Sequence, residues 1–302
     1  MVLLAIIVVL IICLFAFAVK GSLNRNVMQP FYGWKYAHRG LHGDGIPENS
    51  LAAFAAAKSA GYGVELDVRL LKDGNLAVLH DSRLMRMTGN DGVVENLTAE
   101  DLKNCYLNGT NQTIPLLSQV LELYDGAAPL IVELKSAGDN INLLCENTCR
   151  LLDNYNGLYC LESFDPRCVR WLRNNRPHLV RGQLSEDYFD SAAAPVSCLL
   201  KFLLTHQLLN FMTVPDFIAY RYKDRKTISN FIARRIWKMP GVSWTLQSKE
   251  EYDIALTEGW IPIFEGFRPL FINCAAPLGA AQLRNCLGIR TYFADFRENC
   301  GY

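Results

Sequence analysis

The sequence predicts an α/β protein, a TIM (β/α)8 barrel with a small insertion after the hairpin of its second strand, preceded by an N-terminal transmembrane helix. Eight short apolar segments alternate with helical segments over about 230 residues, as parallel strands joined by helices do. A turn signal, Lys72-Asp73-Gly74-Asn75, follows the second of these segments. Residues 2–19 contain no charged side chain.

The strand candidates are short apolar runs bounded by turn residues: Trp34–His38, Tyr62–Arg69, Pro129–Lys135, Leu158–Phe164, Leu179–Leu184, Asp216–Arg221, Val242–Leu246 and Ile261–Glu265. Segments between them, such as NSLAAFAAAKSAG and DPRCVRWLRNN, contain capping residues and apolar residues at helical spacing. A doubly wound open sheet is the alternative, but no Gly-rich phosphate loop follows the first strand. The sequence therefore favours a barrel over residues 33–269.

The first 20 residues are strongly apolar. Residues 2–19, VLLAIIVVLIICLFAFAV, approach the roughly 20 apolar residues that span a bilayer. We expect residues 1–20 to be an uncleaved single-pass anchor in the cell membrane and residues 21–32 a short polar linker. Because Lys20, Arg25 and Lys35 follow the span and no basic residue precedes it, the C-terminal domain is expected in the cytoplasm. Ala16-Phe17-Ala18 resembles a cleavage site, so secretion after signal cleavage is the alternative.

Three other segments lie outside a minimal barrel. Residues 82–114 are polar and longer than an ordinary loop, so we expect an insertion over the barrel mouth. Residues 192–214 contain CLLKFLLTHQLLNF, which is either a helix packed on the core or a helix lying on a bilayer surface. No role is assigned to the C-terminal tail, 270–302. The formal net charge is zero, so the composition gives no indication of nucleic-acid binding, and the sequence does not predict an oligomeric state.

The second strand candidate contains two acidic residues. In VELDVRLLKDGNLAVLHD, Glu65 and Asp67 are two residues apart, so both project to one side of a strand. Two carboxylates inside a barrel repel each other and lose hydration, which destabilises the fold unless a cation or a shared proton offsets the charge. Near the carboxyl ends of barrel strands, a divalent metal ion is the simplest solution.

The same stretch returns a histidine to these carboxylates. LLKDGNLA is a strong hairpin signal, and a hairpin centred between Asp73 and Gly74 places His80 opposite Asp67. We therefore expect His80 beside the acidic pair.

Two other strands end in chemically active residues. The first strand ends in His38-Arg39, and the third contains Glu133 with Lys135 two residues later, on the same side. Catalytic groups of barrels come from the carboxyl ends of several strands. Carboxylates, histidines and cations together suit phosphoryl chemistry, in which the metal and cations bind the anion and the histidines move protons.

Several motifs then resemble those of one family. YAHRGLHGDGIPENS and VELDVRLLKDGNLAVLHD resemble the opening signature of the glycerophosphodiester phosphodiesterase family: His-Arg-Gly, Pro-Glu-Asn-Ser, Glu-x-Asp-Val, Lys-Asp-Gly and His-Asp, in that order. LIVELKS, SFDP and SWTLQS resemble later motifs. The resemblance covers residues 33–266, and its first part is highly specific.

The resemblance implies a metal-dependent phosphodiesterase that hydrolyses glycerophosphodiesters to sn-glycerol 3-phosphate and an alcohol. It implies one divalent cation, Ca²⁺ or Mg²⁺, held by Glu65, Asp67 and Glu133. His38 and His80 match the general acid and base, in either order.

The resemblance also implies contacts to the substrate. Arg39 matches a phosphate contact, Lys135 a residue on the phosphate side, Glu48 a residue of the Pro-Glu-Asn motif near the site, and Trp244 an aromatic lining residue. One departure concerns the last strand, where many relatives have Thr-Asp and this sequence reads IPIFEGF, with Glu265 at roughly that place.

Two alternatives remain from the sequence. The anchor and the apolar 198–211 segment favour a membrane-associated lysophospholipase D that acts on lysophospholipids. A catalytically inactive glycerophosphodiester-binding protein would lack a histidine or a metal ligand, whereas all of them are present here.

Overall fold

The structure, a computed structural model, describes residues 1–190 and 196–269. The predicted barrel is confirmed: eight parallel strands close on themselves because β1 pairs with both β2 and β9. A short ninth strand, β3, pairs antiparallel with β2 outside the barrel ring. The strands are β1 Tyr36–His38, β2 Gly63–Leu70, β3 Leu76–Val78, β4 Leu130–Leu134, β5 Tyr159–Ser163, β6 Arg181–Ser185, β7 Phe217–Arg221, β8 Gly241–Leu246 and β9 Ile261–Phe264.

Helices connect the strands and begin at side-chain caps where the sequence provides them. Ser50, Asp165 and Ser248 each accept a backbone N–H of the first turn that follows. The α-helices are α1 Val2–Ala18, α2 Leu51–Ser59, α3 Met85–Thr88, α4 Leu117–Tyr124, α5 Ile141–Leu152, α6 Pro166–Asn175, α7 Cys198–Thr205, α8 Asn210–Thr213, α9 Ile228–Phe231 and α10 Lys249–Thr257. Single turns of 3₁₀ helix lie at Val94–Asn96, Asp101–Asn104 and Tyr222–Asp224, a longer one at Arg25–Phe31, and a π-helical turn at Ile232–Ile236.

Strand alternation divides the core into two layers. Val64, Leu66 and Val68 of β2 are fully buried among the residues that pack beneath the helices. Inward-facing residues such as Ile131 and Val242 form a separate apolar cluster inside the barrel. Since Glu133 follows Ile131 by two residues, this apolar layer lies below the charged residues of the mouth.

Residues 21–32, predicted as a polar linker, pack in part into this interior. They form the 3₁₀ helix Arg25–Phe31, and Met28 and Phe31 are 0% and 1% exposed within the interior cluster. The Tyr36 hydroxyl donates a hydrogen bond to the Phe31 carbonyl at 3.0 Å. The sequence gives only a weak signal for this role, because the apolar side chains of Val27, Met28 and Phe31 span little more than one helical turn.

Among the described residues, no helix combines the length and the apolar character needed to cross a membrane. The prediction of a transmembrane anchor over residues 1–20 is therefore not supported. The helix there, α1, has 17 residues. At 1.5 Å per residue it rises about 26 Å, less than the roughly 30 Å of a hydrocarbon core.

The end of α1 is attached to the barrel. Trp237 Nε1 donates to the Ala16 carbonyl at 2.7 Å, and the Phe17 and Phe211 rings lie 6.3 Å apart. Residues 2–14 of α1 are exposed, and their side chains are apolar.

The segment expected at 192–214 lies in part outside the described residues. From residue 196 onward it contains α7 and α8, which pack on the barrel through Thr205 and Asn210. The Thr205 carbonyl accepts from the Tyr220 hydroxyl at 2.8 Å. The opposite face leaves Leu199 68% exposed. The predicted tail, 270–302, lies outside the described residues.

Residues 82–114 build a small unit of short helical turns after β3. Its buried side chains share one apolar cluster with β3 and its flanks: Leu71, Ala77, Leu79, Leu84, Met87, Val94, Leu102, Cys105, Leu107 and Ile114. This cluster holds the short helix α3 through its buried Met87.

Substitution of Phe31 tests whether residues 21–32 contribute to the apolar interior of the barrel. Replacing Phe31 by Ala should lower the free energy of unfolding by about 3–5 kcal/mol, because it removes a buried aromatic ring from a closed interior. Thermal unfolding of Phe31→Ala and of Gln29→Ala, an exposed position in the same 3₁₀ helix, provides the measurement and its control. Equal melting temperatures for the two variants would show that residues 21–32 are a linker after all.

Candidate active site

The hairpin after β2 brings His80 to the barrel mouth, in a register one residue from the predicted one. Val68 pairs with Val78, so the hairpin is centred on Asp73. Leu79, rather than His80, lies opposite Asp67, and its N–H donates to the Asp67 carbonyl at 3.0 Å. The reason is a three-residue loop, 72–74, in which Gly74 adopts a φ of +85°.

Three of the predicted residues form an acidic cluster at the carboxyl ends of β2 and β4. Asp67 pairs in register with Glu133, and one carboxylate oxygen from each of Glu65, Asp67 and Glu133 lies within 4.8 Å of the other two. Lys135 Nζ lies 3.1 Å from Asp67 Oδ1 and 2.7 Å from Glu133 Oε1. The cluster is buried, and its hard oxygen donors are those that Ca²⁺ and Mg²⁺ prefer.

The pKa values in this cluster reflect burial, repulsion between its carboxylates, and attraction from the nearby cations. Burial raises the pKa of Glu65, and repulsion from Asp67 and Glu133 raises it further. Burial also raises the pKa of Glu133, to about 7. For Asp67, burial is outweighed by Lys135 and Arg39, which bring its pKa well below the usual range. Since adjacent carboxylates ionise together only with a cation present, the residues fit a divalent metal ion.

A fourth carboxylate, Glu162, was not predicted. It pairs in register with Glu133 on the neighbouring β5, is 1% exposed, and has no hydrogen-bond partner for its Oε2 atom among the described residues. Burial and repulsion from Glu133 raise its pKa well above the usual range. The signal was present in the motif LESFDP, because Glu162 and Phe164 share the inward parity of their strand.

Arg39 and the Pro-Glu-Asn motif surround Asp67. Arg39 adopts a φ of +53° at the end of β1, which is uncommon for a residue with a Cβ and turns its side chain back over β2. Its Nε atom lies 3.2 Å from Asp67 Oδ2, and its Nη1 atom donates to Glu48 Oε1 at 2.8 Å. Asn49 Nδ2 donates to Asp67 Oδ2 at 2.8 Å. The Pro-Glu-Asn motif therefore contacts both Asp67, a predicted metal ligand, and Arg39, a predicted phosphate contact.

His38 is held by Glu265, the residue whose role the sequence left open. His38 Nδ1 lies 2.5 Å from Glu265 Oε2, and His38 Nε2 lies 3.8 Å from Glu65 Oε2. Burial lowers the pKa of His38, although the hydrogen bond to Glu265 acts in the opposite direction. A neutral ring whose Nδ1–H donates to Glu265 leaves the Nε2 lone pair directed at the acidic cluster. His42, also unpredicted, lies 3.8 Å from Glu265 Oε1.

His80 has a carboxylate partner as well. Its Nδ1 atom lies 2.7 Å from Asp81 Oδ1, and its carbonyl accepts from Arg69 Nε at 2.9 Å. Burial lowers the pKa of His80 to about 4, with Lys135 and Arg39 contributing in the same direction and Asp67 opposing.

One cavity of about 620 Å³ joins these groups. It has a charged side and an aromatic side, and on the aromatic side the Phe164 ring lies 5.4 Å from the Trp244 ring at 86°. Asp67 and Glu48 do not line the cavity themselves. Each contacts Arg39, which does. The predicted site residues that line the cavity are His38, Arg39, Glu65, His80, Glu133, Lys135 and Trp244.

Comparisons with known proteins agree with this architecture. A Glycerophosphodiester phosphodiesterase of Caldanaerobacter subterraneus subsp. tengcongensis is 34% identical over 158 residues, 49% of this chain and 65% of that protein. The human Lysophospholipase D GDPD1 is 31% identical over 152 residues, 44% of this chain and 45% of that protein. The chain thus spans less than two thirds of the length of either relative.

A solved structure matches in fold. It is an Oleispira antarctica phosphodiesterase in complex with the product sn-glycerol-3-phosphate, with a TM-score of 0.63 at 21% identity over 78% of this chain and 94% of that one. The sequence itself matches the family described as Glycerophosphoryl diester phosphodiesterase family over residues 38–258, which contain both histidines and the acidic cluster. The resemblance found in the motifs is therefore confirmed, and the chain belongs to the glycerophosphoryl diester phosphodiesterase family.

Proposed function

We propose that the protein is a metal-dependent phosphodiesterase that hydrolyses glycerophosphodiesters to sn-glycerol 3-phosphate and an alcohol. The main support is that two histidines, three carboxylates and two cations meet at one cavity. The Oleispira relative is described in complex with sn-glycerol-3-phosphate, the product that this reaction would release.

In this proposal, Glu65, Asp67 and Glu133 hold one divalent cation, Ca²⁺ or Mg²⁺. The bound cation supplies positive charge that offsets charge developing on the phosphate. Arg39 and Lys135 bind the remaining phosphate oxygens through charge-assisted hydrogen bonds. Trp244 lines the aromatic side of the cavity, and Glu48 keeps the Arg39 guanidinium in place.

The histidines have separate roles in the proposal. His38 acts as general base through Nε2 on the attacking hydroxyl or water, because its Nδ1 atom is engaged with Glu265. His80 protonates the leaving alkoxide. Burial is the main cause of the lowered pKa of His80, and Lys135 and Arg39 add to it. A phosphate anion bound to these two cations would offset their part and so shift the ring toward its protonated form.

Metal removal tests the reaction class. Release of sn-glycerol 3-phosphate from glycerophosphocholine should stop with EDTA and return with added Ca²⁺ or Mg²⁺. Calorimetric titration of the metal-free protein with each cation gives a reading independent of activity, in which Glu133→Gln should weaken binding. Cation binding without release from any diester would instead support an inactive glycerophosphodiester-binding protein.

Substitution of the histidines tests their proposed roles. His38→Ala and His80→Ala should each lower kcat by about 100-fold or more, the usual contribution of positioned acid–base groups. His178, a histidine outside the lining of the cavity, provides the control substitution. Full activity in either His38→Ala or His80→Ala would contradict the assignment of that residue.

Lysophospholipase D activity is the second candidate. It is favoured by the aromatic side of the cavity and by the name of the human relative. Including a lysophosphatidylcholine in the same release assay separates the two, since a higher kcat/KM for the lysolipid than for glycerophosphocholine would favour this candidate.

We further propose that the protein is located at a cell membrane, with α1 inserted among lipid acyl chains without crossing the bilayer. A helix that is apolar on all sides is stable when buried, and Leu3 and Leu4 are 72% and 66% exposed. Leu199 and Phe202 of α7 add further exposed apolar surface.

Vesicle flotation tests this location. The full chain should float with phosphatidylcholine vesicles, whereas replacing Ile7 and Leu10 by Glu should leave it in the soluble fraction because charges in the acyl region are costly. Lys249→Glu on the exposed start of α10 serves as the control. Failure of the unsubstituted chain to float would refute the proposal.

A further inference from the structure

We infer that Arg86, on α3 of the insertion, is a positioning residue that holds the leaving-group histidine and the phosphate-binding arginine in one arrangement. Arg86 does not line the cavity. Its guanidinium contacts two carboxylates at once. Nη1 and Nη2 donate to Glu48 at 3.0 and 2.8 Å, and Nε donates to Asp81 Oδ2.

Each of these carboxylates contacts a residue of the site. Glu48 Oε1 also accepts from Arg39 Nη1 at 2.8 Å, and Asp81 Oδ1 lies 2.7 Å from His80 Nδ1. One continuous chain of charged contacts therefore runs from Arg39 to His80, and Arg86 is its central member. The bidentate fork to Glu48 is a geometry that guanidinium provides and a lysine ammonium does not.

The electrostatics favour the same arrangement. Burial raises the pKa of Glu48, but hydrogen bonds from Arg86 and Arg39 outweigh it and bring the pKa to about 2. Glu48 is therefore ionised and lies between two guanidinium groups that would otherwise repel each other. It links the insertion to the end of β1, where Arg39 is located.

His80 needs this support because its own strand does not provide it. β3 ends at Val78, and the His80 side chain is 35% exposed. A carboxylate that accepts from Nδ1–H selects the tautomer in which Nε2 faces the cavity. Asp81 can do so reliably only while Arg86 holds its second oxygen. Arg86 is in turn carried by α3, whose Met87 is buried in the apolar cluster of the insertion.

The inference rests on the proposed function and makes a prediction about leaving groups. Arg86→Ala should lower kcat on glycerophosphocholine by about 10–100-fold, as loss of an outer supporting partner usually does. The loss should be much smaller on glycerophospho-p-nitrophenol, because p-nitrophenolate leaves without a proton from His80. Arg86→Lys should recover little of the loss. Arg83→Ala, an exposed arginine of the same insertion, should match the unsubstituted chain.

An NMR measurement tests the inference without relying on turnover. In the ¹⁵N spectrum of the His80 imidazole, the unsubstituted chain should show the Nδ1–H tautomer, and Arg86→Ala should show a mixture. Thermal unfolding of both variants separates this effect from loss of the fold. An unchanged tautomer in Arg86→Ala, or equal losses on the two substrates, would overturn the inference. Absence of turnover in the unsubstituted chain would refute only the proposed function, and the tautomer would still decide the role of Arg86.

Discussion

Negative charge buried at the carboxyl end of the barrel is the constraint on which the rest of the site depends. Asp67, Glu133 and Glu162 lie side by side in register on three adjacent strands. Removing a carboxylate from water costs several kcal/mol unless neighbouring groups compensate it. Lys135 and Arg39 offset part of this charge, while burial, with repulsion from neighbouring carboxylates, still raises the pKa values of Glu133 and Glu162. A site under this constraint fits a bound cation, and the proposed chemistry on an anionic diester depends on the positive charge gathered there.

The apolar interior of the barrel strengthens the electrostatic interactions of these charged groups. Met28 and Phe31 pack with the inward-facing apolar side chains, so the charged layer lies over a buried apolar layer. Electrostatic interactions are stronger in such a low-dielectric setting than in water. The same two residues thus contribute to stability through burial and to the site through the apolar layer that they help to form.

Local patterns predicted most of the fold and of the site, and long-range packing accounts for the misses. The eight strands and the inward parity of Glu65 and Asp67 follow from alternation within each strand, which a sequence shows directly. The hairpin register depends on whether Gly74 closes a two- or a three-residue loop, and the flanking residues permit both. Glu162 was missed because its own motif shows only an inward-facing carboxylate, whereas its place in the acidic layer comes from its register with Glu133 on the neighbouring strand.

The two histidines are held by different parts of the fold, and this division has a physical consequence. Glu265 reaches His38 from the end of β9, the strand that closes the barrel against β1. Asp81 reaches His80 from the hairpin, where the insertion supports it. Closure of the barrel therefore orders one ring and packing of the insertion orders the other. Two rings ordered independently can keep different protonation states over one substrate, which is what a proposed acid and base acting in the same step require.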